Sequence, residues 1–335
     1  MRIMLTGGAG FIGSYIAREL LELGHEVAAF DAFVRYFDPD TTDYSTTIRD
    51  RFAGIYHNIE WFRGDTRNEV EVRRAIMSWK PQRIIHLAAM PLADLSSTHS
   101  TEAVSFAVNG TVNILEVIRD VSFVERFVYA SSSMVYGDFA GDSVDETTLC
   151  EPKDVYGGAK LAGEALTKAF GRRFGIEHVI IRPSAVYGPT DINRRVSGIF
   201  IQKALKGEPI EIYGSDTILD FTYVKDTAHG FVLAVTKPEA ANQTFNIAHG
   251  AAISLDEFVQ YIEQIVGKVQ YSVIDKKDYR PRRGTLNISK AVRMLGFLPA
   301  YRRGEGISEC IQYLTGGGLN HANRHLEGAS VEAVV

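Results

Sequence analysis

Residues 1–31 read MRIMLTGGAGFIGSYIARELLELGHEVAAFD. Arg2–Thr6 is a short apolar run of the kind found in buried strands, and residues 11–23 repeat their apolar side chains with the period of an amphipathic helix. Glu26–Asp31 then has the composition of a second buried strand. Together these elements predict a βαβ unit, in which a crossover helix joins two parallel strands.

The turn between the first strand and the helix is rich in glycine. It can be read as GxxGxxG on Gly7, Gly10 and Gly13, or as GxGxxG starting at Gly8. Without Cβ atoms the chain can turn tightly and approach a diphosphate, while the helix N-terminus offers free amides and partial positive charge. The turn therefore predicts a dinucleotide site. The residues assigned to it are Gly7, Gly10, Phe11, Ile12 and Gly13.

Asp31 ends the second strand, eighteen residues after Gly13. An acidic side chain at this place can accept hydrogen bonds from the ribose hydroxyls of the adenosine half of the cofactor. The same carboxylate would repel the 2′-phosphate of NADP. Asp31 therefore predicts NAD as the cofactor.

Composition limits the other partners. The 335 residues are 45% hydrophobic, and the 36 basic and 41 acidic residues leave a formal charge of −5. Such a balance indicates neither a nucleic-acid surface nor a basic membrane patch, so small molecules are the expected partners. Cys150 and Cys310 are too few and too far apart for a disulfide framework or a zinc motif, and no metal is expected. Without a targeting or membrane-spanning segment, we expect a cytoplasmic protein.

Strand and helix patterns continue to alternate after residue 58. This alternation predicts a doubly wound parallel α/β sheet, the Rossmann arrangement, over residues 1–182. Shorter elements then predict a smaller α+β substrate-binding domain over residues 183–315, with segments that can return to the first domain, and a mobile tail over 316–335. The predicted strands are 59–63, 83–87, 126–131, 177–182, 210–213 and 221–224. The predicted helices are 67–79, 102–121, 156–174, 197–206, 227–236, 255–266 and one before 316.

Residues 32–58 form a polar connection that is unusually long for an α/β unit. We expect it to contain a short helix. It can serve as a flap beside the cofactor or substrate, or it can be a surface insertion, and the sequence does not choose between them.

Tyr156 and Lys160 stand one helical turn apart near the start of a predicted helix, so both can face one cleft. An ammonium group near a phenol lowers the pKa of the phenol, which predicts Tyr156 as a general base that takes a proton from a sugar hydroxyl. Ser131, Ser132 and Ser133 end the fifth predicted strand, where a hydroxyl can bridge the substrate oxygen and the phenol.

Eight motifs in this order resemble the extended short-chain dehydrogenase/reductase family, and within it the NAD-dependent nucleotide-sugar epimerases and dehydratases. The resemblance extends to about residue 315. The motifs are TGGAGFIG (residues 6–13), Asp31, GDTRN (64–68), HLAA (86–89), NGT (109–111), SSSMVYG (131–137), YGGAK (156–160) and RPSAVYGP (182–189).

The resemblance assigns roles by position. It implies that Asp65 and Thr66 flank the adenine, that Leu87, Ala88 and Ala89 lie along the diphosphate and ribose, and that Ser132, Tyr156 and Lys160 are catalytic, with the last two also touching the cofactor. Ser132 and Ser133 would contact the substrate. Guanidinium groups pair well with phosphate oxygens, so four arginines are candidates for binding the diphosphate of the substrate. They are Arg194, Arg195, Arg282 and Arg283.

The implied reaction is reversible oxidation of a sugar at C4. Dehydratases of the family have Asp-Glu directly after the catalytic hydroxyl residue, and decarboxylases have Glu at the second position; this chain has Ser133 and Met134. The expected activity is therefore 4-epimerisation of a nucleotide sugar, such as a UDP-hexose or a UDP-hexuronic acid. Alternatives are a nucleotide-4-keto-sugar reductase and, behind it, a 4,6-dehydratase or a non-catalytic NAD sensor.

Two positions depart from the family pattern. Ala185 stands where Asn is common, and Leu219 stands where an Arg usually contacts the diphosphate. Residues 31–39, DAFVRYFDP, resemble a loop of uronic-acid 4-epimerases, but the base, sugar and C6 group remain open.

The helices predicted at 102–121 and 156–174 have more apolar surface than one face of a sheet can cover. The resemblance implies that two such helices pair with their copies as a four-helix bundle, so we expect a homodimer.

Overall fold

The computed structural model of the chain describes residues 1–33, 44–275 and 280–327. It contains the βαβ unit as β1 (Arg2–Thr6), α1 (Phe11–Glu22) and β2 (Glu26–Asp31). Strands β1 and β2 pair in parallel, with Ile3 opposite Val27. The crossover helix therefore begins directly after the glycine turn, as the sequence predicts.

Strands and helices continue to alternate through most of the chain. The further strands are β3 (Ile59–Arg63), β4 (Arg83–His86), β5 (Arg126–Ala130), β6 (Ser143–Val144), β7 (Glu177–Pro183), β8 (Val186–Tyr187), β9 (Ile210–Tyr213), β10 (Ile218–Leu219), β11 (Thr222–Tyr223), β12 (Gln243–Ile247), β13 (Ile253–Ser254), β14 (Tyr271–Ile274) and β15 (Thr285–Leu286). The further helices are α2 (Tyr44–Arg51), α3 (Glu69–Trp79), α4 (Ala93–Thr98), α5 (Ser100–Val104), α6 (Gly110–Ile118), α7 (Val155–Phe174), α8 (Val196–Lys206), α9 (Val224–Thr236), α10 (Leu255–Val266), α11 (Ser289–Leu295), α12 (Arg303–Leu314) and α13 (Arg324–Glu327). Across the described ranges, no helix combines the length and apolarity needed to cross a bilayer.

Seven strands form one parallel sheet in the order β12-β7-β5-β4-β1-β2-β3. The doubly wound parallel fold is thus confirmed. Strand β12 was not predicted: it lies beyond residue 182 and pairs with β7, with Phe245 opposite Ile181. The chain therefore leaves the seven-stranded sheet after β7 and later returns to it with β12. The division into two domains stays a prediction.

Successive residues of each strand point to opposite faces of the sheet, and helices cover both faces. On one face Leu5 belongs to a buried cluster with Ile16 of α1 and Phe231 of α9. On the other face Met4 belongs to a cluster with Ile76 of α3 and with residues of α6. The central strands are mostly apolar because neither face of the sheet meets water there.

A third apolar core lies between α8, α10, α12 and the short strands after residue 185. Its centre is aromatic, since the rings of Phe221 and Phe258 stack at a centroid distance of 4.2 Å and Tyr187 meets both edge-on. This core holds the segments that face the carboxyl end of the sheet.

The helix predicted at 102–121 is instead three joined pieces: α5, a π turn over Ser105–Asn109, and α6. It ends at Ile118. A Cβ atom at Gly110 would lie 2.6 Å from the Thr66 hydroxyl oxygen, so this glycine allows the helix to approach the loop after β3. The π turn widens the helix there and places Phe106 at the cleft described below.

The long polar connection contains the expected short helix, α2. Residues 34–43, which include most of the DAFVRYFDP stretch, lie outside the described residues. Ile48 of α2 and Phe52, directly after the helix, pack in the same apolar cluster as Ile16 of α1. At least this part of the connection is therefore built into the protein body.

The segment from Gly316 was predicted to be mobile. Its described part, residues 316–327, makes side-chain contacts with α1 and α9, and residues 328–335 lie outside the described residues. Asn323 donates to the buried carboxylate of Glu19 at 3.0 Å, and His229 contacts the other oxygen of that carboxylate at 2.6 Å. His325 contacts Asp226 at 2.8 Å and stacks on His229 at 3.9 Å. Mobility of the tail stays a prediction.

These contacts predict that the segment stabilises the sheet domain. Ending the chain at residue 318 would remove partners from two buried carboxylates, and a buried charge without its partner is costly. We expect the melting temperature to fall by roughly 5 °C or more. Differential scanning calorimetry should compare this variant with one that ends at residue 327 and keeps the contacts. Equal melting temperatures for the two variants would show that residues 319–327 contribute nothing.

Candidate active site

A cleft of about 240 Å³ opens at the carboxyl ends of the central strands. Parallel sheets bind ligands at this edge. All the residues that the sequence assigned to a cofactor line this cleft. They are Gly7, Gly10, Phe11, Ile12, Gly13, Asp31, Asp65, Thr66, Leu87, Ala88, Ala89, Tyr156 and Lys160.

The glycine turn has the geometry that a phosphate needs. Gly7 has a positive φ of 71°, and a Cβ atom there would lie 2.7 Å from the backbone nitrogen of Ala88. Gly10 is the N-cap of α1 and provides no side-chain hydrogen bond, so the first amides of the helix face the cleft without a cap. Gly8 packs against β1 and does not line the cleft. The structure therefore favours the frame Gly7, Gly10 and Gly13.

Asp31 lies beside this turn. Its carboxylate accepts hydrogen bonds from the backbone amides of Ala9 at 2.9 Å and Phe33 at 2.8 Å, one on each oxygen. Burial raises the pKa of Asp31, and these two amides and the charge of Arg51 lower it in part. Each oxygen keeps a lone pair, so the carboxylate can still accept a bond from a ribose hydroxyl.

Arg51 is a cleft residue that the sequence reasoning missed. Its guanidinium donates to the carbonyl oxygens of Ala9 at 2.9 Å and Thr190 at 2.8 Å, and its buried Nε has no partner within the described part of the chain. The side chain links α2 to the glycine turn and carries positive charge beside the phosphate-binding amides. No motif marks an isolated arginine in a polar connection, so only the fold could reveal it.

Asp65 and Thr66, which the resemblance assigns to the adenine, line the cleft. Burial raises the pKa of Asp65, but hydrogen bonds from Arg67 outweigh it and hold the pKa below its usual value. The Thr66 hydroxyl is buried without a hydrogen-bond partner among the described residues, which leaves it available to a ligand. An orphaned polar group of this kind, together with the uncapped helix, fits a bound dinucleotide.

The catalytic candidates meet at the other end of the cleft. Asp154 caps α7 by accepting from the amide of Gly157 at 2.7 Å, which fixes the first turn that carries Tyr156. Lys160 donates to the carbonyl oxygen of Ala130 at 2.7 Å, and its Nζ lies 5.9 Å from the centre of the Tyr156 ring. The Ser132 side chain lies close enough to the Tyr156 hydroxyl to lower the pKa of Tyr156.

Three neighbouring serines have different partners. Ser131 donates to the buried carboxylate of Glu164 at 2.5 Å, and Ser133 accepts from Arg283 at 2.6 Å. Ser132 accepts from the backbone amide of Met134 at 3.2 Å and lies beside Tyr156. The preference for Ser132 thus agrees with the geometry, although its catalytic role stays a prediction.

The electrostatics of Tyr156 differ from the expectation. Burial raises its pKa, and the charge of Arg195, the contact with Ser132 and the charge of Arg283 lower it only in part. Burial also lowers the pKa of Lys160 to about 8. The Lys160 ammonium therefore does not produce the predicted lowering of the Tyr156 pKa, because both side chains are buried away from water.

The four candidate arginines separate into two pairs. Arg194 and Arg282 are exposed. Arg195 lines the cleft and forms an ion pair with Asp191 at 2.7 Å. Its charge also lowers the pKa of Tyr156. Arg283 reaches the serine run. The structure thus brings Arg195 and Arg283 to the site, and we retain these two as substrate contacts rather than Arg194 and Arg282.

This chain is similar to several known proteins over most of its length. A Bacillus subtilis protein described as an uncharacterized UDP-glucose epimerase, YtcB, is 32% identical over 94% of this chain and 98% of its own length. The dTDP-glucose 4,6-dehydratase of Salmonella typhimurium is 28% identical over 93% of this chain and 92% of its own length.

Among solved structures, the UDP-glucuronic acid 4-epimerase of Bacillus cereus, in complex with UDP-glucuronic acid and NAD, has a TM-score of 0.86 at 26% identity. The match covers 94% of this chain and 99% of that one. The family model described as NAD dependent epimerase/dehydratase family matches residues 3–248. The chain therefore belongs to the NAD-dependent epimerase/dehydratase family, and its cofactor is NAD.

Proposed function

We propose that the protein is an NAD-dependent 4-epimerase of a nucleotide sugar. The observation that carries this proposal is the position of Tyr156 and Lys160 in the NAD cleft, with Ser132 beside Tyr156 and without a carboxylic acid at the two positions that follow Ser132. Several relatives are epimerases of UDP-sugars by their names, which supports the same reaction.

NAD, when bound, accepts a hydride from sugar C4 and returns it to the opposite face. The side chains move the proton. Tyr156 takes the proton of the C4 hydroxyl as the hydride leaves, and Ser132 hydrogen-bonds the oxygen on which charge changes. Lys160, held by the carbonyl of Ala130, keeps positive charge near the phenol and the nicotinamide ribose. Return of the same proton and hydride completes the inversion.

The surrounding carboxylates argue against a dehydratase. Elimination of water across C5 and C6 needs an acid or base beside the sugar in addition to Tyr156. Glu164 is bound to Arg182 and Ser131, and Asp154 caps α7. Ser133 and Met134 bear no ionisable group. The 4-keto sugar therefore has return of hydride as its available fate.

The experiment is a search for an epimer made in heavy water. Purified protein with NAD should be incubated with UDP-, dTDP-, GDP- and CDP-sugars, and the products separated by chromatography and identified by NMR. We expect one C4 epimer with no deuterium on carbon. Deuterium at C5, loss of water, released carbon dioxide or consumption of reduced cofactor in proportion to product would contradict an epimerase.

Tyr156→Phe should reduce turnover by roughly two to four orders of magnitude or more, since it removes the proton-transferring hydroxyl. Ser132→Ala should slow turnover by about two to three orders, because one hydrogen bond to shifting charge is lost. Both variants should keep NAD, which fluorescence titration can check. Full activity of Tyr156→Phe would contradict the role of Tyr156 as the base.

We also propose a homodimer. Val104 of α5 is 42% exposed, and Ala165 and Ala169 form an exposed apolar row on the neighbouring α7. Pairing these helices with their copies in a second subunit would remove that surface from water. Sedimentation equilibrium at micromolar concentration should give twice the chain mass, and a monomer under these conditions would contradict the proposal.

A further inference from the structure

The guanidinium of Arg283 lies near Tyr156 and has neutral hydrogen-bond partners. It donates to the hydroxyls of Ser133 at 2.6 Å and Ser184 at 3.0 Å, and its Nη1 lies 2.9 Å from the sulfur of Met134. Its Nε is buried without a hydrogen-bond partner among the described residues. A charged group has therefore been taken out of water among weak acceptors.

Carboxylates near Arg283 do not neutralise it directly. Burial lowers its pKa to about 10, and Asp220 and Asp154 raise the pKa in part through their charge. Asp220 accepts instead from the amide of Leu286 at 3.0 Å, and Asp154 accepts from that of Gly157 at 2.7 Å. Within the described ranges, no ion pair to Arg283 is formed. The guanidinium stays protonated at neutral pH and can gain a full anionic partner from a ligand.

The position of Arg283 indicates which anionic group of a nucleotide sugar the guanidinium can bind. Arg283 holds Ser133, the neighbour of Ser132, and Ser132 contacts the Tyr156 hydroxyl that acts at C4. A carboxyl carbon at C6 is two bonds from C4, whereas the nearest phosphorus is five bonds away through C5, the ring oxygen, C1 and the bridging oxygen. A carboxylate on the sugar is therefore the nearer anion.

We propose that Arg283 binds a carboxylate at C6 of the sugar and thereby makes a nucleotide hexuronate the preferred substrate. The inference rests on the proposed 4-epimerase function and adds its substrate class. Planar guanidinium and carboxylate groups can form two parallel hydrogen bonds, which makes arginine a suitable partner for a carboxylate.

The neutral residues after Ser132 are consistent with this role. An acidic side chain at Ser133 or Met134 would lie against the guanidinium and pair with it permanently. The hydroxyl and thioether actually present hold the guanidinium in place and leave its charge for the ligand.

UDP-glucuronic acid and UDP-glucose are the matched probes, because they differ only in the C6 group. We expect the wild-type protein with NAD to epimerise UDP-glucuronic acid with the higher kcat/KM. Arg283→Gln should lower kcat/KM for UDP-glucuronic acid by roughly 30-fold or more, mainly through KM. It should lower the value for UDP-glucose much less, because both substrates lose the charge beside Tyr156 but only the glucuronate loses a carboxylate partner. Arg282→Gln, an exposed neighbour, is the control and should change neither substrate.

Arg283→Lys keeps the charge without the planar fork and should recover part of the affinity, which guards against a folding defect in Arg283→Gln. Melting temperatures and NAD binding should be measured for each variant. Turnover of UDP-glucose in preference to UDP-glucuronic acid would overturn the role of Arg283 while the epimerase proposal stands. If neither probe nor any other nucleotide sugar is epimerised, the proposed function itself fails. Equal loss on both probes would assign Arg283 to a group they share, such as the diphosphate.

Discussion

The buried ion pair between Glu164 and Arg182 sets the geometry of the candidate active site. Glu164 lies on α7, one turn after Lys160, and its carboxylate binds Arg182 of β7 through two bonds at 2.8 and 2.7 Å. The same carboxylate accepts from Ser131 at the end of β5. One carboxylate thus ties the helix that carries Tyr156 to the ends of β5 and β7, and its burial makes any other arrangement costly.

The rest of the sheet brings distant motifs to this point. Because β1, β4, β5 and β7 are parallel neighbours, their carboxyl ends meet at one edge, where the glycine turn, HLAA, the serine run and the segment after residue 183 lie together. Strand β12 continues the sheet beyond β7, and its Asn246 accepts from Tyr136, which in turn accepts from Arg182. The ion pair is therefore braced from the edge of the sheet as well as from α7.

Much of this could be predicted from the sequence, since strands buried on both faces are short apolar runs whose ends are marked by glycine or polar residues. Six strands of the central sheet were predicted within one residue, and β12 was missed because Gln243–Ile247 is half polar and follows the predicted boundary. Side-chain direction in loops was less accessible. Neighbouring arginines such as 282 and 283 have no periodicity that tells which one points inward, and the raised pKa of Tyr156 depends on burial that only the fold reveals.

The proposed epimerisation requires that a hydride leaves sugar C4 and returns to the same carbon within one closed site. The most direct measurement uses the nucleotide sugar that the protein epimerises, labelled with deuterium at C4, mixed with an equal amount of a substrate labelled elsewhere with carbon-13. Mass spectrometry and NMR of the epimer should find deuterium retained at C4 of the molecules that carried it, without transfer to the carbon-13 population. Loss of the label to water would contradict the account, and so would scrambling of deuterium between the two populations.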